Sequence, residues 1–222
     1  MADDSNTRYT SKLQATTRQT AQLLLLKPAL QRLLKIHVQT QLPSLMLGFN
    51  VPSVATAKDP ITANALRLIS ALLDGGYSAR MPTQLERGEE LVSGASSSYN
   101  AFTRGDSLFM LSAMPNSQKK VTMAQAEAGL WRLLDDLKKT PPTTEELERV
   151  RAQVIAGLVY ERDSITSQAT AIGSLETVGL SWKLMDTELA DLQSVTPEDI
   201  QKAARTYFTR ERLSVAHVMP EE

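Results

Sequence analysis

The chain contains no cysteine and only 2 histidines, His37 and His217. Without cysteine, disulfides, thiolate zinc sites and cysteine nucleophiles are excluded together. Zinc sites without cysteine need histidines at fixed spacing, and both the H-E-x-x-H and the inverted H-x-x-E-H pattern place two of them on one helix face. His37 and His217 are far apart in sequence, so we expect each to be an ordinary strand residue. The sequence therefore predicts no metal site in this chain.

The chain also lacks a large excess of positive or negative charge and has no long apolar run. Lys and Arg total 24 against 25 Asp and Glu, and the net charge of -1 gives no field that would attract nucleic acid or an anionic membrane. The longest aliphatic run, Leu23 to Leu26, is far short of the roughly 20 residues that a membrane span needs. The acidic start, Met1 to Ser5, predicts no secretory signal in this chain. With 42% apolar residues, we expect a soluble protein with a well-filled core.

The motifs of phosphate-binding loops and serine hydrolases are missing too. Neither G-x-x-x-x-G-K-[ST] nor G-x-G-x-x-G occurs, and the serine-rich run Ser93 to Ser98 contains no nucleophile elbow. Adjacent carboxylates such as Glu145 and Glu146 diverge by about 100° on a helix, so they do not form an acid–base pair. We predict no catalytic residue in this chain.

Clear helix signals are present, beginning with Asp59-Pro60, where a good N-cap precedes proline at the first helical position. Thr122 and Thr143 are each followed after three residues by Gln or Glu, which is the capping-box spacing. Thr196-Pro197 opens a further helix. An apolar stripe follows each start and predicts a face packed on the core. Weaker helices are predicted over 164–178 and 181–193.

Strand signals lie elsewhere. Segments 91–101 and 107–114 flank a turn and predict a hairpin. Segment 33–38 is expected to pair with the strand after it, and 213–219 to return to the sheet. Alternating apolar residues predict one more strand, at Leu45, Leu47, Phe49 and Val51. We therefore predict an α+β fold, a mainly antiparallel sheet with helices packed on one face.

Several stretches resemble segments of the insulinase-type (pitrilysin-type, inverzincin) zinc metallopeptidases. Asp74 to Gly88, which reads DGGYSARMPTQLERG, is similar to the family's G-G-x-S-x-R-L-x-x-x-L-V-R-x segment. Glu145 to Val154 resembles its E-E-L-x-R helix, and 175–179 and 195–200 are similar to the segments that close the domain. Each stretch is only helix caps and apolar spacing, but their shared order is hard to obtain by chance.

The resemblance implies an architecture in which two domains of similar fold enclose a chamber, one with the inverted zinc motif and one without it. This chain resembles the second, the C-terminal non-catalytic domain. Zinc is thus expected in a homologous metal-bearing partner domain, on the same polypeptide or on a separate subunit. We expect residues 32–222 to form the insulinase-type domain and 1–31 to be a distinct segment of helical pattern. Bacterial relatives are often exported, which suggests the periplasm.

The resemblance also points to residues that would contact a peptide. Many second domains of the family supply an Arg and a Tyr, seven positions apart, that hold the substrate backbone. In one register these positions fall on Glu86 and Ser93, and in the next on Arg87 and Gly94, so the cation can be restored but not the phenol. Tyr99 is the only aromatic residue in 86–100. The implied substrate contacts are Glu86, Arg87, Ser93 and Tyr99.

The sequence thus predicts the non-catalytic half of a zinc-dependent peptidase, which encloses and helps to bind peptide opposite a metal-bearing domain. One alternative is a purely structural subunit with no role in proteolysis, because relatives of this family serve as scaffold components of respiratory assemblies. Another is an unrelated α+β enzyme. An H-x-x-E-H segment upstream or in a neighbouring reading frame would favour the peptidase role.

Overall fold

The structure is a computed structural model that describes residues 32–221; the segment 1–31, with the helix predicted in it, lies outside the described residues. The strands are β1 (Arg32–Val38), β2 (Ser44–Val51), β3 (Val92–Tyr99), β4 (Ser107–Pro115) and β5 (Leu213–Pro220). The helices are α1 (Pro60–Asp74), α2 (Met123–Lys139), α3 (Thr144–Glu161), α4 (Ile165–Val178), α5 (Leu184–Ser194) and α6 (Pro197–Tyr207). Short π-helical and 3₁₀ turns span Met81–Glu86 and Arg210–Arg212.

The strands form one mixed sheet in the order β1-β5-β2-β4-β3. All pairs are antiparallel except β1 with β5, which is parallel. The predicted α+β fold with a mainly antiparallel sheet is confirmed. The predicted pairing of β1 with the next strand is wrong, because β5 lies between β1 and β2. In this inner position β5 buries Leu213 and Val215, whereas β1 at the sheet edge leaves most of its side chains exposed.

The predicted helix starts are confirmed by their caps. Asp59 accepts a hydrogen bond from the Ile61 N–H at 3.2 Å, and α1 ends at Gly75. A side chain at Gly75 would place its Cβ 2.3 Å from the Ala71 carbonyl oxygen, so only glycine fits this helix end. Full capping boxes form at Thr122 with Gln125 and at Thr196 with Asp199.

The core lies between one face of the sheet and the helices. Phe208 follows α6 and packs its ring against Phe49 of β2 and Phe109 of β4, with ring centroids 5.2 and 4.9 Å apart. On α3, Leu147 and Val150 are buried, and the later members of the predicted stripe pack against the same core. The helices therefore position β3 and β4 from one side of the sheet.

Side chains on the opposite face of the sheet remain partly exposed. Met46, Leu108 and Met114 expose 39%, 53% and 41% of their surface. The strand register shows which residues share this face, which we call the open face. It consists of Arg32, Leu34, Ile36 and Val38 of β1, Ser214, Ala216, Val218 and Pro220 of β5, Ser44, Met46, Gly48 and Asn50 of β2, Leu108, Met110, Ser112 and Met114 of β4, and Gly94, Ser96 and Ser98 of β3.

Candidate functional site

The predicted contact residues lie in one continuous unit at an edge of the sheet. Glu86 ends the π-helical turn, Arg87 follows it, and Ser93 and Tyr99 lie on β3. β3 is the terminal strand of the sheet order, so no described strand pairs with its outer edge. The structure thus brings Glu86, Arg87, Ser93 and Tyr99 to the β3 side of the domain.

The carboxylate of Glu86 is directed at β3. Its Oε1 accepts a hydrogen bond from the Ala95 N–H at 3.0 Å. Backbone N–H groups on an edge strand have no neighbouring strand to bond, so this side chain satisfies a donor that would otherwise need water. Glu86 therefore already has a structural partner within the chain.

A second carboxylate bonds the same strand edge two residues further along. Oδ2 of Asp74, the last residue of α1, accepts from the Ser97 N–H at 3.1 Å. The Ser97 hydroxyl donates in turn to the Ser70 carbonyl oxygen at 2.8 Å. Sequence reasoning missed this role of Asp74, because the bond joins residues that are far apart in the sequence and meet only in the folded chain.

Arg87 lies at the surface beside Tyr77. Its guanidinium carbon is 3.6 Å from the centre of the Tyr77 ring, and Nη2 donates to the Tyr77 carbonyl oxygen at 2.6 Å. Both residues are exposed, and Tyr77 exposes 78% of its surface. The cation therefore stays in contact with solvent while the ring restricts its orientation.

Tyr99 is held from both ends. Its hydroxyl donates to the Pro52 carbonyl oxygen at 2.6 Å, and its ring stacks on Phe109 with centroids 6.1 Å apart. Burial raises the pKa of the Tyr99 phenol well above its ordinary value. The group is thus a neutral donor at physiological pH and fixes the end of β3.

Ser93 is exposed at an irregularity of β3, where the register with β4 shifts between Val92 and Gly94. Its hydroxyl lies 3.4 Å from the Met114 carbonyl oxygen, a long contact. Further along the strand Ser96 and Ser98 are exposed as well. β3 therefore contributes small polar side chains to its side of the open face.

A shallow groove of about 260 Å³ runs beside the edge of β3. Ser70 and Asp74 of α1 line one side, and Ser97 and Tyr99 of β3 line the other. The groove and the open face both offer space next to the predicted residues.

The two motif stretches of the sequence meet in the structure. Arg80 donates through Nε and Nη2 to both carboxylate oxygens of Glu146, at 2.8 and 2.7 Å. The Arg80 hydrogen bonds hold the pKa of Glu146 below its ordinary value. Thr143 caps α3 through the Glu146 N–H, but the reciprocal half of the predicted capping box is absent, because the Glu146 carboxylate binds Arg80 instead.

The histidines do not form a metal site with their neighbours. His217 Nε2 lies 3.6 Å from Glu127 Oε2, and His37 lies on β1 opposite Met219. Across residues 32–221 there is no cluster of three or more His, Cys, Asp or Glu side chains that could hold a metal ion. The described residues around the histidines therefore do not fit a zinc ion. Within the same range, no helix is long and apolar enough to cross a membrane.

Solved structures share this fold. A protease from Helicobacter pylori superposes with a TM-score of 0.75 at 21% identity, over 85% of this chain and 44% of that one. The inactive peptidase domain of a candidate zinc protease from Bordetella parapertussis gives a TM-score of 0.71 at 20% identity, over 84% of this chain and 95% of that one. The periplasmic protease PqqL from Escherichia coli gives 0.64 at 13% identity, over 86% of this chain and 21% of that one.

The share of each solved structure that this chain covers differs. This chain spans less than half of the Helicobacter pylori protease, but nearly all of the Bordetella parapertussis domain. At such identities they show the fold alone. No curated protein matches the chain in sequence.

A family model identifies the family, which the shared fold alone does not. The model of the peptidase M16 inactive domain matches residues 6–154, which is most of the chain. The match includes the stretches around Arg80 and Glu146 that carried the resemblance to insulinase-type zinc peptidases. The chain therefore belongs to the peptidase M16 inactive-domain family.

Proposed function

We propose that this chain is the non-catalytic half of a zinc-dependent peptidase, and that it encloses and helps to bind a peptide opposite a metal-bearing domain. The observation that carries the proposal is the composition of the open face. Within the described strands, Arg32 at its margin is the only charged side chain on that face, although 22% of the whole chain is charged. A broad uncharged surface of this kind is typical of an interaction site.

The side chains of the open face suit peptides of varied sequence. Met46, Met110 and Met114 are flexible and polarisable, so they can adjust to different partner side chains. Ser96 and Ser112 lie between them, and their hydroxyl oxygens are 2.7 Å apart, which offers adaptable donors and acceptors for a peptide backbone. The face can thus contact a peptide without selecting its charge.

The predicted contact residues divide into two roles in this proposal. Arg87 and Ser93 are exposed and would touch the peptide. Glu86 and Tyr99 are bonded to the backbone of β3 and of the loop at Pro52, so they would shape the wall that the peptide meets. Zinc and the hydrolytic chemistry would come from the metal-bearing domain, on the same polypeptide or a separate subunit.

The likeness to longer proteins supports a partner of comparable size. This chain corresponds to 44% of the Helicobacter pylori protease, which leaves more than half of that protein for other domains. A periplasmic location is part of the same proposal, supported by the likeness to PqqL.

The test is reconstitution. The purified chain is mixed with its metal-bearing partner, and cleavage of a quenched fluorescent peptide is measured. We expect activity that needs both components and that falls when Ser93→Trp fills the space above β3. Ser117→Trp, an exposed serine between β4 and α2, is the matched control and should leave activity unchanged.

A metal-bearing half that is equally active alone would contradict the proposal. It would favour the alternative of a structural subunit without a role in proteolysis.

A further inference from the structure

Two carboxylates accept hydrogen bonds from backbone N–H groups of β3 that a sheet edge normally offers to another strand. An edge strand presents unpaired N–H and C=O groups, which makes it a template for strand addition and self-association. On β3 the N–H of Ala95 is bonded by Glu86 at 3.0 Å and the N–H of Ser97 by Asp74 at 3.1 Å. Two successive outward-facing N–H groups of β3 thus already have hydrogen-bond acceptors within the chain.

The spacing of these bonds matches the geometry of an antiparallel edge. Along a strand, alternate residues direct their N–H groups to opposite sides, so Ala95 and Ser97 share one side. Since their N–H groups bond side chains from outside the sheet, that side is the outer edge. A strand arriving there would have to displace both carboxylates.

The position of Asp74 points to the same role. Asp74 is the last residue of α1, where the helix dipole disfavours a negative charge. The hydrogen bond from the Ser97 N–H offsets this cost. Glu86 is held independently, at the end of the π-helical turn that follows Arg80 and its bidentate bond to Glu146.

We propose that Asp74 and Glu86 close the β3 edge against strand addition, and that the strand they exclude is β3 of a second copy of this chain. The inference stands on the geometry of the isolated domain and does not depend on the proposed peptidase role.

The first test measures amide hydrogen exchange by NMR in the Asp74→Ala, Glu86→Ala double variant. At protein concentrations low enough for the variant to be monomeric, the amides of Ala95 and Ser97 should exchange roughly tenfold faster or more, because their acceptors are gone, while amides bonded within the β3–β4 ladder keep their protection. Sedimentation velocity of the same variant should show a concentration-dependent dimer that the parent chain lacks.

Matched variants separate edge closure from a general loss of stability. Asp74→Asn with Glu86→Gln keeps an oxygen acceptor at each position, so this variant should remain monomeric with protected edge amides. Glu89→Ala with Glu90→Ala removes nearby exposed carboxylates that pair with Arg132 and Lys119, and it should behave like the parent.

The inference is overturned if the double alanine variant stays monomeric at all concentrations. It is equally overturned if exchange accelerates throughout β3 and β4 alike, or if the Asn and Gln variant associates as readily as the alanine variant.

Discussion

Arg151 of α3 shows how much a single side chain can hold in this domain. Only 9% of the residue is exposed, and its guanidinium donates to the carbonyl oxygens of Leu192 and Val195 at 3.1 and 2.5 Å. Glu148 supplies its charged partner at 2.6 Å. The arginine thereby ties α3 to the end of α5.

We predict that Arg151→Ala lowers the free energy of unfolding by about 2–4 kcal/mol, because buried carbonyl groups lose their donors. Urea denaturation measures this loss. Arg149→Ala, at an exposed neighbouring position, is the control and should cost less than about 1 kcal/mol. Equal losses for the two variants would show that the Arg151 bonds contribute little.

The Arg80–Glu146 pair predicts a dependence of stability on pH. The pKa of Glu146 is lowered in the folded state by the Arg80 hydrogen bonds. The pair therefore stabilises the fold above the ordinary carboxyl pKa of about 4.3, and this contribution is lost as the pH falls through the lower folded pKa. Glu146→Gln should reduce the melting temperature at pH 7 and have a smaller effect in acid.

Thermal melts of the parent and of Glu146→Gln across this pH range measure the difference. The exposed neighbour Glu145→Gln should change the melting temperature little at any pH. A Glu146→Gln effect that grows in acid would mean that the pair does not stabilise the folded state.

At the scale of elements, local signals predicted the helices well. The cap at Asp59 and the capping box at Thr122 both depend on residues within one turn of each other, so the sequence contains them completely. Strand pairing does not have this property. The neighbour of β1 is β5, far along the chain, and no local pattern in 33–38 indicates it.

The candidate site was predictable only in outline. Resemblance located Glu86, Arg87, Ser93 and Tyr99 at one segment. It could not show that Glu86 and Asp74 bond the edge of β3, because those hydrogen bonds join residues brought together by tertiary packing. The second role of Glu146 was hidden for the same reason, since its partner Arg80 lies in another stretch.

The face of α3 can be tested directly. Leu147 is 2% exposed, and Leu147→Ala should cost about 2–5 kcal/mol through the cavity that it leaves. Glu148 is on the outer face, so sequence reasoning predicts a cost within about 0.5 kcal/mol for Glu148→Ala. Its bond to the buried Arg151 raises this expectation to about 1 kcal/mol.

Denaturant melts of the two variants rank these costs. A greater loss for Glu148→Ala than for Leu147→Ala would show that the buried face of α3 is assigned wrongly.

For the whole molecule, we predict that the isolated chain binds no zinc tightly. The histidines are separated in sequence, and each lacks the further ligands that a zinc site requires among residues 32–221. Elemental analysis after dialysis should find much less than one zinc per chain. A stoichiometric ion that disappears in His37→Ala or His217→Ala would contradict the prediction.

The place of β5 in the sheet also bears on how the chain reaches its fold during synthesis. β1 and β2 leave the ribosome early. The strand that lies between them in the sheet, β5, is made more than 150 residues later. Such distant pairing is slow to form, and until it forms β1 has no partner among the described strands. Helices and the β2–β4–β3 part of the sheet can assemble first, while β1 waits for nearly the whole domain to be translated.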